Sequence, residues 1–512
     1  MRYAVDAQTM NEIDRYSMEE VGIPSMVLME KAAMKLVSVI TSKIAKSDKI
    51  LAVCGMGNNG GDGVAAARML WEDGYQAEIL LVGDKTRASE QMKQQLRIAG
   101  NLGMSVYNSA KISEYTVIID SLFGVGLKRN IEGNYAQIIQ EVNDSKAIVF
   151  SVDLPSGIDG TTGKILGIAI RADYTVTFGY HKIGLILFPG CEYTGDVIVA
   201  DIGFPRKAMD FIKNKTFYYE KEDLVLMPER RQHSNKGTYG KVLVIAGSES
   251  ISGAAYLSAK AAYRTGAGLV KVLTPECNKT VIQTMLPEAL VSTYSPNENS
   301  SYELDEAWLK KEMDWATVIA IGPGIGVSEI SRKMVLFAVE NITKPLIFDA
   351  DSINLLANEE KYVINDEITH STVLHLPSNV ILTPHLKEMS RLTKLSLQHI
   401  ISNMYEVAEQ YRGDYVLVLK DARTIVIDEE HMYINVSGNH GMATGGSGDV
   451  LAGIIAGLLA QGMSSFDAAS LGVYIHGLAG DYAVKKRNHY SVMAGDIVDA
   501  LSYILQGCAD RR

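Results

Sequence analysis

The sequence predicts an α/β protein of two domains: residues 1–215, built on a doubly wound parallel sheet, and residues 225–512, a further α/β unit. Three observations carry that reading. Short apolar runs of strand length alternate with helical patterns. Glycine-rich turns join a strand to a helix at two distant points. A charged, irregular stretch from about Pro205 to Lys236 interrupts the rhythm between them.

Ahead of the first sheet, Ala7 to Thr41 reads as mostly helical, with Pro24 marking a break. Strands are then expected at Lys49 to Val53, Ala77 to Val82, Thr116 to Ile119, Ala147 to Val152, Tyr174 to Phe178 and Asp196 to Ala200. The second domain restarts at Lys241 to Ala246. It continues through Leu269 to Leu273, Val318 to Ile321, Leu346 to Phe348, Val380 to Leu382 and Tyr415 to Leu419. A hairpin of Thr424 to Ile427 with Met432 to Asn435 precedes the second glycine turn.

Composition narrows the function classes. With 47% hydrophobic and 21% charged residues, the 512-residue chain is ordinary for a globular enzyme with a large core. Lys plus Arg is 49 against 60 for Asp plus Glu, a net charge of -11 that repels a polyanion, so no nucleic-acid partner is expected. The longest apolar run, Val450 to Ala460, is too short to cross a bilayer and reads as a buried helix, so no membrane association is expected. The N-terminus lacks a basic segment followed by an apolar one. Cys54, Cys191, Cys277 and Cys508 show no CxxC spacing, so the expected compartment is the cytoplasm, without a disulfide framework.

The run CGMGNNGGDGVAAARML, Cys54 to Leu70, places a glycine-rich turn at the start of a helix, where unpaired backbone N–H groups and absent Cβ atoms let an anion approach. Gly55, Gly57 and Gly60 satisfy GxGxxG, and Asp84 ends the next strand about where a dinucleotide fold puts its ribose acid. That alone favours a dinucleotide-dependent oxidoreductase. Asn58, Asn59 and Asp62, however, add amides and a carboxylate inside the cradle, where a plain pyrophosphate turn would not want a negative charge. VIIDSLFGVGL and FSVDLPSGIDG place Asp120, Asp153 and Ser156 at further strand ends. In an open α/β sheet those ends meet in one crevice, where hard oxygen ligands suit a cation, although each Asp alone also fits a helix cap.

The motifs GMGNNGGDGVAAARML, DSLFGVGL and VDLPSGIDG resemble the N-terminal, Rossmann-like epimerase domain of the bifunctional NAD(P)H-hydrate repair enzymes. The resemblance implies that Asn58, Asn59, Gly60, Gly61 and Asp62, with Gly124, Val125, Gly126, Leu127, Lys128, Arg129 and Asn130, hold the hydrated nucleotide. It further implies potassium on Asn59, Asp120 and Ser156, and Asp153 facing the hydrated ring as acid/base. Lys128 or Arg129 either serves phosphate charge or is a solvated loop cation.

The second turn, GMATGGSGDVLAG, puts Asp449 at the start of a helix, where backbone N–H groups of Gly446, Ser447 and Gly448 can stabilise a phosphoryl group in flight while Asp449 takes a proton from a hydroxyl. A helix cap is the plain alternative. No GxxxxGK[ST] is present, which removes the P-loop reading. The pattern resembles the ribokinase-like fold. More closely, SGAAYLSAKAAYRTGAGLVKV, IGPGIG, DADSINLL, LTPHLKEMSRL and GGSGDVLAG resemble the ADP-dependent dehydratase domain of the same repair enzymes.

That resemblance implies hydrated-nucleotide contacts from Ala254, Gly324, His385 and Asp449, and ADP contacts from Lys420, Asp421, Ala422, Arg423, Thr424 and Gly448. KDART and GGSGD stand where KG-type and GTGD-type sequences are expected, a departure at Asp421 and Ser447 that leaves the catalytic Asp449 in place. Magnesium is expected from the phosphoryl chemistry, without a visible ligand set. The expected partners are hydrated NADH or NADPH and ADP, in a homo-oligomer. The competing enzyme reading pairs the oxidoreductase with a ribokinase-like vitamin or sugar kinase. A non-enzymatic one makes both domains nucleotide sensors.

Overall fold

The computed structural model describes residues 1–212, 215–295, 305–366 and 371–509. The chain divides into two compact units, Tyr3–Thr216 and Phe217–Arg512, with Met1–Arg2 counted in the second.

The first unit holds a seven-stranded sheet in the order Val106–Tyr107, Gln76–Leu81, Lys49–Cys54, Val117–Ser121, Ile148–Val152, Tyr174–Phe178, Asp196–Ala200, parallel throughout. Both faces are buried, and the strand period of two sorts the side chains. From Lys49–Cys54, Ile50, Ala52 and Cys54 enter one core, and Leu51 and Val53 the other. The helices Ser25–Thr41 and Asn58–Glu72 contribute to the first of these cores, Gly133–Asn143 to the second. The strand order reverses between Lys49–Cys54 and Val117–Ser121, the point where ligands of such sheets bind.

Six of the seven strands lie where the sequence places them. The exception is Val106–Tyr107, a two-residue edge strand too short to show a period. Ala7–Arg15 and Ser25–Thr41 flank Pro24, which sits at the N-cap of the second helix. The pairing of Ala4 and Val5 with His181 and Lys182 was not expected.

In the second unit the order is Leu290–Tyr294, Leu269–Pro275, Lys241–Ile245, Val318–Ile321, Leu346–Phe348, Val380–Leu382, Val416–Leu419, all parallel. Ile425–Ile427 and His431–Ile434 then continue the sheet antiparallel, the expected hairpin. Leu290–Tyr294 was not foreseen. It is an edge strand whose first residue is 46% exposed. The apolar run Val450 to Ala460 is buried residue by residue within the helix Ser447–Ala460. Among the described residues no helix is long and apolar enough to cross a membrane.

Candidate functional site

The first glycine turn is built by close backbone approach. A Cβ on Gly55 would lie 2.0 Å from the Leu122 carbonyl oxygen, and one on Gly60 would lie 1.9 Å from that of Gly55. Gly57 and Gly126 are different. Neither has a positive φ, and nothing stands within 4 Å of where their Cβ atoms would be. Packing does not require glycine there, so the open space suits a ligand.

Both line a cavity of ≈ 810 Å³ at the switch point, together with Asn58, Asn59, Asp62, Gly124, Val125, Leu127, Lys128, Arg129 and Asp153. Asn130 lines an adjoining cavity instead. Gly60 and Gly61 are buried beneath the turn. Lys128 and Arg129 are exposed at the cavity, and Asp84 is not part of it. Asp84 is spent on a local turn, its Oδ1 accepting from the Thr86 amide at 2.9 Å and hydroxyl at 2.8 Å. The ribose-acid expectation for Asp84 is therefore corrected.

Asp120 and Ser156 converge beneath this floor. Asp120, 1% exposed, accepts from Ser151 Oγ at 2.8 Å, the Ser156 amide at 2.8 Å and Ser156 Oγ at 2.6 Å. Burial raises its pKa, with the neutral donors pulling the other way. The Asn59 amide lies against Gly124, and its Nδ2 is buried with no hydrogen-bond partner among the described residues.

Asp153 ends Ile148–Val152 at φ 67, a conformation L-residues seldom adopt. Its Oδ1 accepts from Lys182 Nζ at 2.5 Å, Thr177 Oγ1 at 3.0 Å and the Phe178 amide at 3.1 Å. Lys182 is 1% exposed and was missed in the sequence. The signal was a lone cation within the run YHKIGLILF, which burial obliges to pair. Asp14 and Met10, from Ala7–Arg15, also line the cavity.

In the second unit, Gly446 at φ 89 caps the helix Ser447–Ala460 and turns the chain into its first amides. A Cβ on Gly448 would stand 3.2 Å from Lys420 Nζ and 3.9 Å from Asp349 Oδ2, which brings these groups together. Asp349, 1% exposed, accepts from Lys420 Nζ at 2.7 Å and Thr383 Oγ1 at 2.7 Å. Burial alone would lower the Lys420 pKa, but Asp349, Glu388 and Asp449 hold it above its ordinary value. Asp449 is pushed up to about 6 by burial and by Asp349, against the pull of Lys420. Ala350, between Asp349 and Asp351, is held at φ 51, and Asp351 Oδ2 accepts from the Gly326 amide at 2.9 Å.

Ala254 and Gly324 adjoin, the latter's Cβ position lying 3.1 Å from the former's Cβ. One turn beyond Ala254, Ser258 Oγ donates to the Asp449 carbonyl at 2.9 Å. His385 caps Leu386–Thr393, its Nδ1 accepting from the amides of Lys387 and Glu388 at 3.1 Å. The neighbouring Lys420 amide donates to the Pro384 carbonyl at 2.8 Å. Asp421, Ala422, Arg423 and Thr424 form the turn after Lys420, closed by Thr424 Oγ1 on the Asp421 carbonyl at 3.0 Å. Ser447 Oγ is 3.2 Å from His476 Nε2, whose pKa burial lowers to about 4. Asp349 and Asp351 lie within DADSINLL, a motif that does not by itself mark them as site residues, and His476 lies in none of the motifs. Among the described residues no group of three His, Cys, Asp or Glu side chains forms a metal cluster.

Comparison with known proteins finds relatives for both units. Residues 242–502 match the NAD(P)H-hydrate dehydratase family and residues 25–184 the YjeF-related protein N-terminus. A bifunctional NAD(P)H-hydrate repair enzyme of Moorella thermoacetica is 36% identical over 98% of this chain and 97% of its own. Its counterpart from Thermofilum pendens is 34% identical over 96% of this chain and 94% of its own. That of Escherichia coli is 34% identical over 96% and 92%. Spanning the two domains nearly end to end, the chain belongs to the family of bifunctional NAD(P)H-hydrate repair enzymes.

Proposed function

We propose that residues 1–215 interconvert the R and S hydrates of NADH and NADPH, and that residues 225–512 dehydrate the S form with ADP, releasing AMP and phosphate. The observation that carries the proposal is the meeting of Asp449, the Ser447–Ala460 helix N-terminus and the ion pair of buried Asp349 with half-buried Lys420. Hydroxide leaves a saturated ring carbon poorly. Phosphate leaves it readily, so phosphorylating the hydroxyl lets elimination restore the conjugated ring.

Asp449 takes the hydroxyl proton, and the amides at the glycine turn stabilise the phosphoryl group in transfer. Lys420, beside Gly448, offers a positive charge to the nucleotide, and Asp421 to Thr424 continue that wall. Ala254, Gly324 and His385 bound the hydrated-nucleotide side. Magnesium, when bound with the nucleotide, neutralises phosphate charge; Asp349 and Asp351 are the oxygen donors nearest in character to its needs.

In the first unit, Asp153 faces the hydrated ring, and Asn58, Asn59, Asp62 and Gly124 to Asn130 hold the nucleotide. Potassium fits Asn59, Asp120 and Ser156 through their oxygens: the Asp120 carboxylate, buried and served only by neutral donors, lacks a countercharge. When bound it would supply fixed positive charge beneath the turn. The partners are the hydrated nucleotides and ADP, in a cytoplasmic homo-oligomer.

Incubation with the hydrates and either ADP or ATP, following dihydropyridine absorbance and free phosphate together, tests the proposal. Equal amounts of both products are expected. A stable phosphorylated product would instead establish a small-molecule kinase.

A further inference from the structure

The epimerase cavity holds a titratable group that the proposed mechanism has not used. Asp14 lies on Ala7–Arg15, in the N-terminal segment outside the sheet, and lines the cavity with Met10 and Asn11, its neighbours at i-4 and i-3 on the same helical face. Asp153 reaches the same space from a strand end, and Asp62 from the glycine-turn helix. The three carboxylates therefore come from three separate elements, while Lys182 is the buried cation among them.

Their surroundings differ. Asp153 is fixed through Oδ1 by Lys182, Thr177 and Phe178, and nothing among the described residues donates to its Oδ2. The Asp14 carboxylate receives no hydrogen bond from any described residue, although it is partly shielded from water. We infer that Asp14 is a second catalytic residue of the epimerase site, trading a proton with the ring hydroxyl while Asp153 trades the other.

The chemistry requires two such events. In a hydrated reduced nicotinamide the hydroxyl is on a carbon bonded to the ring nitrogen. Inversion breaks that C–O bond: the nitrogen lone pair forms C=N⁺, and the oxygen takes one proton and departs as water. Water then adds to the other face, the C–O bond reforms, the electron pair returns to nitrogen and one proton is released. Nothing is oxidised or reduced. One group gives a proton and the other receives one, and the reverse turnover or solvent resets the pair.

Two carboxyl groups from separate elements, both lining one cavity, can divide the two proton events between them. Burial, with Asp153 nearby, raises Asp14 to about 6 against the pull of Lys182, within reach of both forms near neutrality. Burial pushes Asp62 well above its ordinary range, which suits a neutral hydrogen bonder better than a group that cycles.

This inference rests on the epimerase reading, and the test separates the two. Full-length wild type, Asp14→Asn and Asp14→Glu are assayed for exchange of the R and S hydrates by chromatography, and for ADP-driven dehydration of the S hydrate as an internal control. Asp14→Asn is expected to lower kcat for exchange by about 100-fold or more, with KM changed little and dehydration unaffected. Asp14→Glu is expected to recover part of that rate. Wild-type exchange in Asp14→Asn, or a loss confined to KM, overturns the assignment. If Asp14→Asn does not fold, Asp14→Glu decides: a kcat loss at unchanged KM supports the role, and wild-type kcat overturns it. A wild-type protein that dehydrates the S hydrate without speeding exchange overturns the epimerase reading, and Asp14 with it.

Discussion

Asp449 and Asp153 occupy contrasting settings. Asp449 sits at a helix N-terminus within the field of Lys420, and its pKa of about 6 has a direct consequence for catalysis. A raised carboxyl pKa means that the protonated form persists to higher pH. In the role of base proposed for it, Asp449 must be ionised, so kcat/KM for dehydration is expected to fall as pH drops through about 6, approaching tenfold per unit below it. Initial rates across that range check this. Asp449→Asn is expected to cost on the order of 10²–10⁴-fold in ADP-dependent dehydration with folding intact. Asp153→Ala should abolish accelerated exchange of the R and S hydrates, read by chromatography. It also leaves Lys182 buried without its carboxylate, so some loss of stability in the first unit accompanies it.

The glycine turn separates fold from ligand at adjacent positions. Gly60→Ala drives a Cβ into the Gly55 carbonyl and should destabilise the first unit by about 1–3 kcal/mol or more. Gly57→Ala meets nothing, so its stability cost should stay below about 0.5 kcal/mol while nucleotide binding weakens. Denaturant unfolding and ligand titration of the two variants distinguish these effects. In the other unit Ile454, fully buried in Ser447–Ala460, should cost about 2–5 kcal/mol when replaced by Ala.

The strands buried on both faces were legible because continuous apolar runs bounded by turns leave few alternatives. Val106–Tyr107 and Leu290–Tyr294 were not, since a sheet edge tolerates short or exposed segments. The strand-end acids and glycine turns were legible because chain topology alone brings parallel strand ends together. Lys182, Asp14 and the Asp349–Lys420 pair were not. Asp14 reads as one more polar helix residue, and 71 residues separate Lys420 from Asp349, so only packing joins them.

Across the full chain, the two heads read the same nucleotide, which gives the fusion its sense: the first supplies from the R hydrate what the second consumes. With a mixture of R and S hydrates and ADP, wild type should convert both. Asp153→Ala should convert the S fraction rapidly and then slow to the uncatalysed exchange rate. Asp449→Asn should equilibrate the hydrates and form NADH at least about 100-fold more slowly than wild type. The most direct test is that mixture with wild type and Asp449→Asn, recording NADH absorbance and phosphate in the same sample. One phosphate per NADH in wild type, and both products formed at least about 100-fold more slowly in Asp449→Asn, is the predicted result. NADH formed without phosphate, or undiminished formation in Asp449→Asn, would contradict it.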